Sequence, residues 1–138
     1  MIEQPSFQGI RYLALSVTDL PRSVRWYQQV LGFVVELENY GASAWPSDWD
    51  EVQLRHPSKS VRLGLQQHPA NDGRPFSEFQ TGLDHVEFDV ADMSELDAWR
   101  RWLDERGVRH SGAHPHVVTF RDPDNIQLEL YCLAGRQL

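Results

Sequence analysis

The sequence predicts an α+β fold made of two βαβββ modules in tandem, with strands curving into a cup-shaped mixed sheet and helices on its outer face. The main observation is an internal repeat, in which residues 10–20 (IRYLALSVTDL) align with residues 83–93 (LDHVEFDVADM). In each copy a strand pattern precedes apolar residues at helical spacing, and three short strand-like segments follow the helix. Because repeats of this size fold as copies of one supersecondary unit, we expect two related modules.

The first copy begins with a strand that has one buried face. Its apolar and polar residues alternate, Leu13, Leu15 and Val17 with Tyr12, Ala14 and Ser16. A helix follows, because Asp19 is a favourable cap, Pro21 suits the first turn and Gly32 ends the helical spacing. The strands predicted after this helix cover about 33–39, 50–56 and 61–67.

The second copy follows the same plan. Its first strand alternates Val86, Phe88 and Val90 with His85, Glu87 and Asp89. Ser94 or Asp92 can cap the second helix, and Gly107 ends it. The later strands are predicted at about 109–113, 116–121 and 126–132.

The domain organisation follows from this repeat. We expect one domain over residues 1–138, with modules at 8–68 and 82–133. The linker at 69–81 is rich in Pro, Gly and polar residues.

Composition narrows the class of partner. The net charge is −7 and arginines alternate with carboxylates, which argues against nucleic-acid binding. No stretch approaches the roughly 18 apolar residues that cross a bilayer, and the first residues do not resemble a secretion signal, so we expect a cytoplasmic protein without membrane contact. The single cysteine, Cys132, cannot form a disulfide within the chain. A small molecule is therefore the expected partner.

Strand alternation also predicts which side chains line the open face of each sheet. If apolar residues pack against the helices, the opposite faces carry Tyr12, Ala14, Ser16, Arg62, Gly64 and Gln66 in the first module and His85, Glu87, Asp89, Gln127, Glu129 and Tyr131 in the second. A concave polar face with aromatic residues is a typical place for a small ligand.

Aligning the two copies of the repeat shows which residues occupy equivalent positions on the two open faces. The last strand of the first module (VRLGLQ) aligns with that of the second (IQLELY), which places Gly64 on Glu129, and Tyr12 aligns with His85. Imidazole and carboxylate groups are good ligands for divalent first-row metals, whereas glycine has no side chain and neutral tyrosine is a poor ligand. The repeat thus predicts a metal site that only the second module fills.

Three segments resemble the vicinal oxygen chelate superfamily, the glyoxalase, bleomycin-resistance and dioxygenase family. They are LALSVTDLPRSVRWYQQVLGF (13–33), GLDHVEFDVADMSELDAWRRWL (82–103) and FRDPDNIQLELY (120–131), and together they span nearly the whole chain. The resemblance implies the glyoxalase/bleomycin-resistance/dihydroxybiphenyl dioxygenase fold, a homodimer and a small organic molecule bound in the strand cup.

The resemblance also implies a metal site. In metal-using members the first strand of each module usually supplies His and the last strand Glu, and the metal polarises a substrate with two neighbouring oxygens. His85 and Glu129 match these positions as ligands of a divalent metal ion. Glu129 or Glu87 would move a proton in lyase, isomerase or dioxygenase chemistry. Tyr12 and Gly64 depart from the family's pattern.

Other functions stay open at this point. Because the first-strand His is missing from the first module, a metal-free protein of the bleomycin-resistance type that sequesters its ligand is a second hypothesis. A dimeric domain with a vestigial cup is a third. The other five histidines are interpreted as loop or turn residues. The residues predicted to contact the small molecule are Tyr12, Trp45, Arg62, Gln66 and Tyr131.

Overall fold

The structure is a computed structural model that describes residues 1–39, 49–111 and 114–133. Contacts between α-carbons divide the chain into two compact units, Met1–Asn71 (unit 1) and Asp72–Leu138 (unit 2). In the part of the chain that is described, no helix is long and apolar enough to cross a membrane.

Unit 1 contains one helix and a four-stranded mixed sheet. In the sheet the strand order is β1-β4-β3-β2, with β1 parallel to β4 and the other neighbours antiparallel. The elements in chain order are β1 (Leu13–Ser16), α1 (Leu20–Leu31), β2 (Val34–Asn39), β3 (Asp50–Arg55) and β4 (Arg62–Gln67).

Unit 2 repeats this architecture. Its strand order is β5-β8-β7-β6, and β5 is parallel to β8. The elements are β5 (Val86–Val90), α2 (Met93–Glu105), β6 (His110–Ser111), β7 (Val117–Arg121) and β8 (Gln127–Cys132). The predicted α+β fold with two βαβββ units is confirmed. The boundaries 8–68, 69–81 and 82–133 stay predictions.

Local capping explains where the helices begin and end. The carboxylate of Asp19 accepts a hydrogen bond from the backbone N–H of Arg22 at 3.0 Å, which satisfies one of the unpaired donors of the first turn. Gly32 ends α1 in the left-handed conformation, with φ of 76°, where a side chain would be strained. In α2 the N-terminal cap is Asp92, which accepts from the N–H of Glu95 at 2.9 Å.

Each helix packs on one face of the sheet of its own unit, and we call the opposite face the open face. In β8, alternate residues are buried: Leu128, Leu130 and Cys132. The residues between them are partly exposed: Gln127, Glu129 and Tyr131. Burial of an apolar side chain contributes about 1.5–3 kcal/mol, so this alternation fixes which face meets the helix. The polar side chains therefore share the open face.

Candidate functional site

In unit 2, strand register brings polar side chains together on the open face. Because β5 runs parallel to β8, Glu87 lies opposite Glu129, and Thr119 of β7 flanks Glu129 on its other side. His85 directly precedes β5, and it shares the face of Glu87 because the two are separated by one residue. Four polar side chains, three from strands and one from the residue before β5, thus meet at one place.

The imidazole of His85 faces both carboxylates. Its Nε2 lies 3.6 Å from Oε2 of Glu87 and 3.5 Å from Oε2 of Glu129. One ligand atom from each of the three residues lies within 4.8 Å of the others. We call His85, Glu87 and Glu129 the triad.

Asp84 contacts the His85 ring at Nδ1, the ring nitrogen that does not face the glutamates. Its Oδ1 lies 2.7 Å from Nδ1 of His85, so a hydrogen bond there leaves Nε2 directed at the two glutamates. This hydrogen bond is the main cause that raises the pKa of His85, and the charges of Glu129 and Asp84 add to it. A carboxylate on the far ring nitrogen is the usual support of a metal-binding histidine.

Two donors orient Glu129 in the same way. Its Oε1 accepts hydrogen bonds from Nε2 of Gln127 at 2.9 Å and from Oγ1 of Thr119 at 3.3 Å. Oε2 is thereby left on the side of His85. The Glu129 side chain is only 16% exposed, so these bonds also compensate part of its loss of hydration.

The triad fits a divalent metal ion. One imidazole nitrogen and two carboxylate oxygens converge, and this mixture of ligands suits divalent first-row metals. The sequence predicted His85 and Glu129 as ligands and gave Glu87 a role in proton transfer. The structure adds that Glu87 stands where a third ligand could be. The alternation of side chains in the sequence predicted that Glu87 lies on the same face as His85. The register of β5 with β8 shows in addition that Glu87 lies next to Glu129.

The equivalent place in unit 1 holds an aromatic ring. Ala14 lies opposite Gly64, as Glu87 lies opposite Glu129. A Cβ atom built on Gly64 would come within 2.9 Å of Cε2 in the ring of Tyr12, so the ring packs closely over the glycine. Arg11 approaches the same ring, with its guanidinium carbon 5.1 Å from the ring centroid.

The other residues predicted to bind a ligand are distributed over the two units. Tyr12, Arg62 and Gln66 belong to unit 1, whereas Tyr131 lies on β8 in unit 2, on the face of Glu129. Trp45 lies outside the described residues. Their roles stay predictions.

Two of these ligand-binding candidates have partners within unit 1. Arg62 forms an ion pair with Glu36, in which Nε and Oε2 are 3.0 Å apart. Gln66 donates to Glu51 at 3.4 Å.

One of the other histidines lies in a strand. His110 was interpreted as a loop residue, but it lies in β6, within the segment 109–113 that was predicted as a strand, and its Nε2 contacts Asp104 at 2.8 Å. It pairs with Phe120 of β7.

Several solved structures share this fold. A glyoxylase/bleomycin resistance protein/dioxygenase domain from Frankia sp. EAN1pec is 28% identical, with a TM-score of 0.77 over 92% of this chain and 98% of that chain. A glyoxalase family protein from Enterococcus faecalis is 25% identical, with a TM-score of 0.69 over 91% of this chain and 98% of that chain.

A more distant likeness comes from the fosfomycin resistance protein FosX of Listeria monocytogenes, which is 16% identical. Its TM-score is 0.68 over 94% of both chains, which shows a shared fold alone. A mutant of that FosX has been crystallised with Mn(II) and 1S,2S-dihydroxypropylphosphonic acid.

Sequence comparison identifies the family. No curated protein sequence matches the chain significantly. A family model described as the Glyoxalase/Bleomycin resistance protein/Dioxygenase superfamily matches residues 9–130, which covers most of the chain. The chain therefore belongs to the glyoxalase/bleomycin resistance protein/dioxygenase superfamily.

Proposed function

We propose that this chain is a metal-assisted enzyme that binds a divalent first-row ion at the triad and acts on a small oxygen-bearing organic molecule. The observation that carries the proposal is the convergence of one histidine nitrogen and two carboxylate oxygens within 4.8 Å. The Mn(II) complex of a FosX mutant gives independent support, because that protein shares the fold. When bound, the ion would act as a Lewis acid on a substrate oxygen.

Residues of the chain would orient the metal ligands and move the proton. Asp84 holds His85 in the orientation that directs Nε2 at the glutamates. Glu129 has one oxygen already engaged by two donors. Glu87 has a side chain that is 42% exposed, and among the described residues it faces Nε2 of His85 but no second donor, so we propose it as the proton acceptor. We propose that the reaction is a lyase, isomerase or dioxygenase reaction in which this base moves a proton.

The residues predicted to bind the organic part of the ligand have suitable chemistry for it. Tyr12 and Tyr131 supply rings that can stack on a planar molecule, and Arg62 and Gln66 supply hydrogen-bond donors. Trp45 is proposed as a further apolar contact. We also propose that the protein is cytoplasmic, as expected from its sequence, and a homodimer, as expected from the family. Light scattering of the purified protein would test the oligomeric state.

A second candidate function is metal-free sequestration of a small molecule, as in bleomycin-resistance proteins. The observation that favours it is the Tyr12 ring over Gly64, which fills in unit 1 the place that the triad has in unit 2. An aromatic wall at this place suits binding without chemistry.

Metal binding separates the two candidates. Elemental analysis and calorimetry would be run on wild-type protein, His85→Ala, Glu87→Gln and Glu129→Gln. Asp89→Asn is the matched control, because Asp89 is exposed on β5 and forms no hydrogen bond or ion pair among the described residues. The enzyme proposal expects one ion per chain in wild type and control, and much weaker binding in the three triad variants. A wild-type protein that binds no ion supports sequestration instead.

A further inference from the structure

Unit 1 carries a polar cluster on its open face that the triad does not use. Strand register places Glu51 opposite Gln66 and Gln53 opposite Gly64. Oε1 of Glu51 accepts hydrogen bonds from Nε2 of Gln53 at 3.3 Å and from Nε2 of Gln66 at 3.4 Å. All three side chains belong to partly buried residues. We call them the Glu51 cluster.

Three oxygens of the cluster have acceptor capacity that its internal hydrogen bonds do not use, beside one remaining N–H on each amide. A carboxylate has no hydrogen to donate, so both amide nitrogens turn toward Glu51 and both amide oxygens are left over. Oε2 of Glu51 is left as well, because the two hydrogen bonds go to Oε1. A ligand that donates hydrogen bonds can therefore pair with three oxygens of the cluster: Oε2 of Glu51 and the amide oxygens of Gln53 and Gln66.

The charge of the cluster is unbalanced. In the part of the chain that the structure describes, no Lys, Arg or His pairs with Glu51. Glu36, on the same sheet, is by contrast paired with Arg62 at 3.0 Å. A partly buried carboxylate is stabilised by a positive partner, so the donor that fits best is a cation.

Two aromatic residues lie directly next to the ends of the strands that carry the cluster. Trp49 directly precedes β3, two positions before Glu51, and His68 directly follows β4, two positions after Gln66. Their ring centroids are 5.5 Å apart, with planes tilted by 41°. Residues two apart along a strand share a face, so both rings lie on the face of the cluster. Indole rings attract organic cations within about 6 Å.

We propose that the Glu51 cluster and the Trp49–His68 ring pair bind the ammonium group of a small organic amine. The oxygens of the cluster accept its N–H groups, and the rings form an apolar wall for its carbon skeleton. The inference rests on the proposed function in one respect, that the chain binds a small organic molecule, but it does not require the metal. A hard metal cation also takes oxygen ligands, but it gains nothing from the ring pair.

The test measures binding of benzylamine to the full chain in EDTA, with benzyl alcohol as the uncharged probe of similar shape. Calorimetry would compare wild type with Glu51→Gln, which removes the charge at constant size. Glu36→Gln is the matched control, because it removes a carboxylate of the same sheet that already has a partner. Circular dichroism checks that each variant is folded.

Wild type should bind benzylamine and should bind benzyl alcohol at least about tenfold more weakly, because a hydrogen bond to a charged group contributes about 1.5–3 kcal/mol. Glu51→Gln should lose about the same factor, and Glu36→Gln should change little. Trp49→Leu should also weaken the binding of benzylamine, by roughly two- to tenfold.

Equal affinity for both probes, an unaffected Glu51→Gln protein, or no benzylamine binding would overturn the inference. In a separate titration without EDTA, displacement of benzylamine by Ca²⁺ at equal concentration would do so too, because it would identify the cluster as a metal site. The results obtained in EDTA do not depend on a metal at the triad. A triad that binds no metal beside intact amine binding would contradict the metal proposal alone.

Discussion

Replacing Asp84 by Asn should weaken metal binding about tenfold while the three ligands stay in place. The variant loses the charged partner that lies 2.7 Å from Nδ1 of His85, so Nε2 is less firmly directed at the glutamates. Loss of such a supporting partner typically costs roughly 10–100-fold in affinity. The side chains of His85 and Asp84 are 33% and 66% exposed, so water replaces part of the bond. We therefore expect a loss of metal affinity at the lower end of this range, about tenfold, which corresponds to about 1.4 kcal/mol.

The assay is calorimetric titration of Mn²⁺ into metal-free protein at about pH 8.5. The hydrogen bond to Asp84 raises the pKa of His85, so at lower pH Asp84→Asn would also reduce proton competition at His85, and this gain would hide part of the loss of orientation. Asp89→Asn serves as control, because it removes the same charge from β5, the strand that follows Asp84 and His85. An unchanged affinity in Asp84→Asn would refute the supporting role. A loss as large as that in His85→Ala would also refute it, since Asp84 would then be a ligand.

Three predictions concern stability, each measured by urea denaturation. Gly64→Ala should cost about 1 kcal/mol, because the new Cβ meets the Tyr12 ring at 2.9 Å, and the penalty should vanish in a Tyr12→Ala background. Leu128→Ala should cost about 2–5 kcal/mol, since Leu128 is fully buried; a smaller loss would contradict the core assignment. Arg121 lowers the pKa of Glu78 to about 2 from 4.5 by hydrogen bonding, so this pair stabilises the fold above pH 4.5 and the contribution disappears toward pH 2. Wild type and Glu78→Gln should therefore differ near neutral pH and converge in acid; a constant difference would exclude this linkage.

Most of the fold could be predicted because its determinants are local. Helix α1 begins directly after Asp19 and ends before Gly32, as the capping residues predict. Strand β8 has the alternation of buried and partly exposed residues that its sequence shows. The repeat added the topology, since two copies of one pattern indicate one architecture used twice.

The candidate site could be predicted only in part because it depends on pairing between distant strands. Alternation placed Glu87 on the face of His85, but its position beside Glu129 follows from the register of β5 with β8. The pairing of Arg62 with Glu36 likewise joins β4 to β2, and these strands are not neighbours in the sheet.

The Glu51 cluster was missed for a different reason. Glu51 and Gln53 alternate with the buried Val52 and Leu54, so their face could have been assigned from sequence. No aligned motif marks them, and their contact with Gln66 depends on the register of β3 with β4. A carboxylate in a strand without a recognisable motif is ordinarily exposed to solvent. Glu51 differs because it is partly buried and pairs with no cationic side chain among the described residues.

Location of the metal tests the central claim most directly. In a titration of nitrogen-15-labelled protein with Mn²⁺, the ion broadens the amide signals of residues that lie near it. We predict that the signals of residues 84–88 and 128–130 broaden first, at substoichiometric Mn²⁺, because these residues surround the triad. Broadening centred on His114 and His116, whose rings are 6.0 Å apart, or uniform weak broadening would contradict a metal site at the triad.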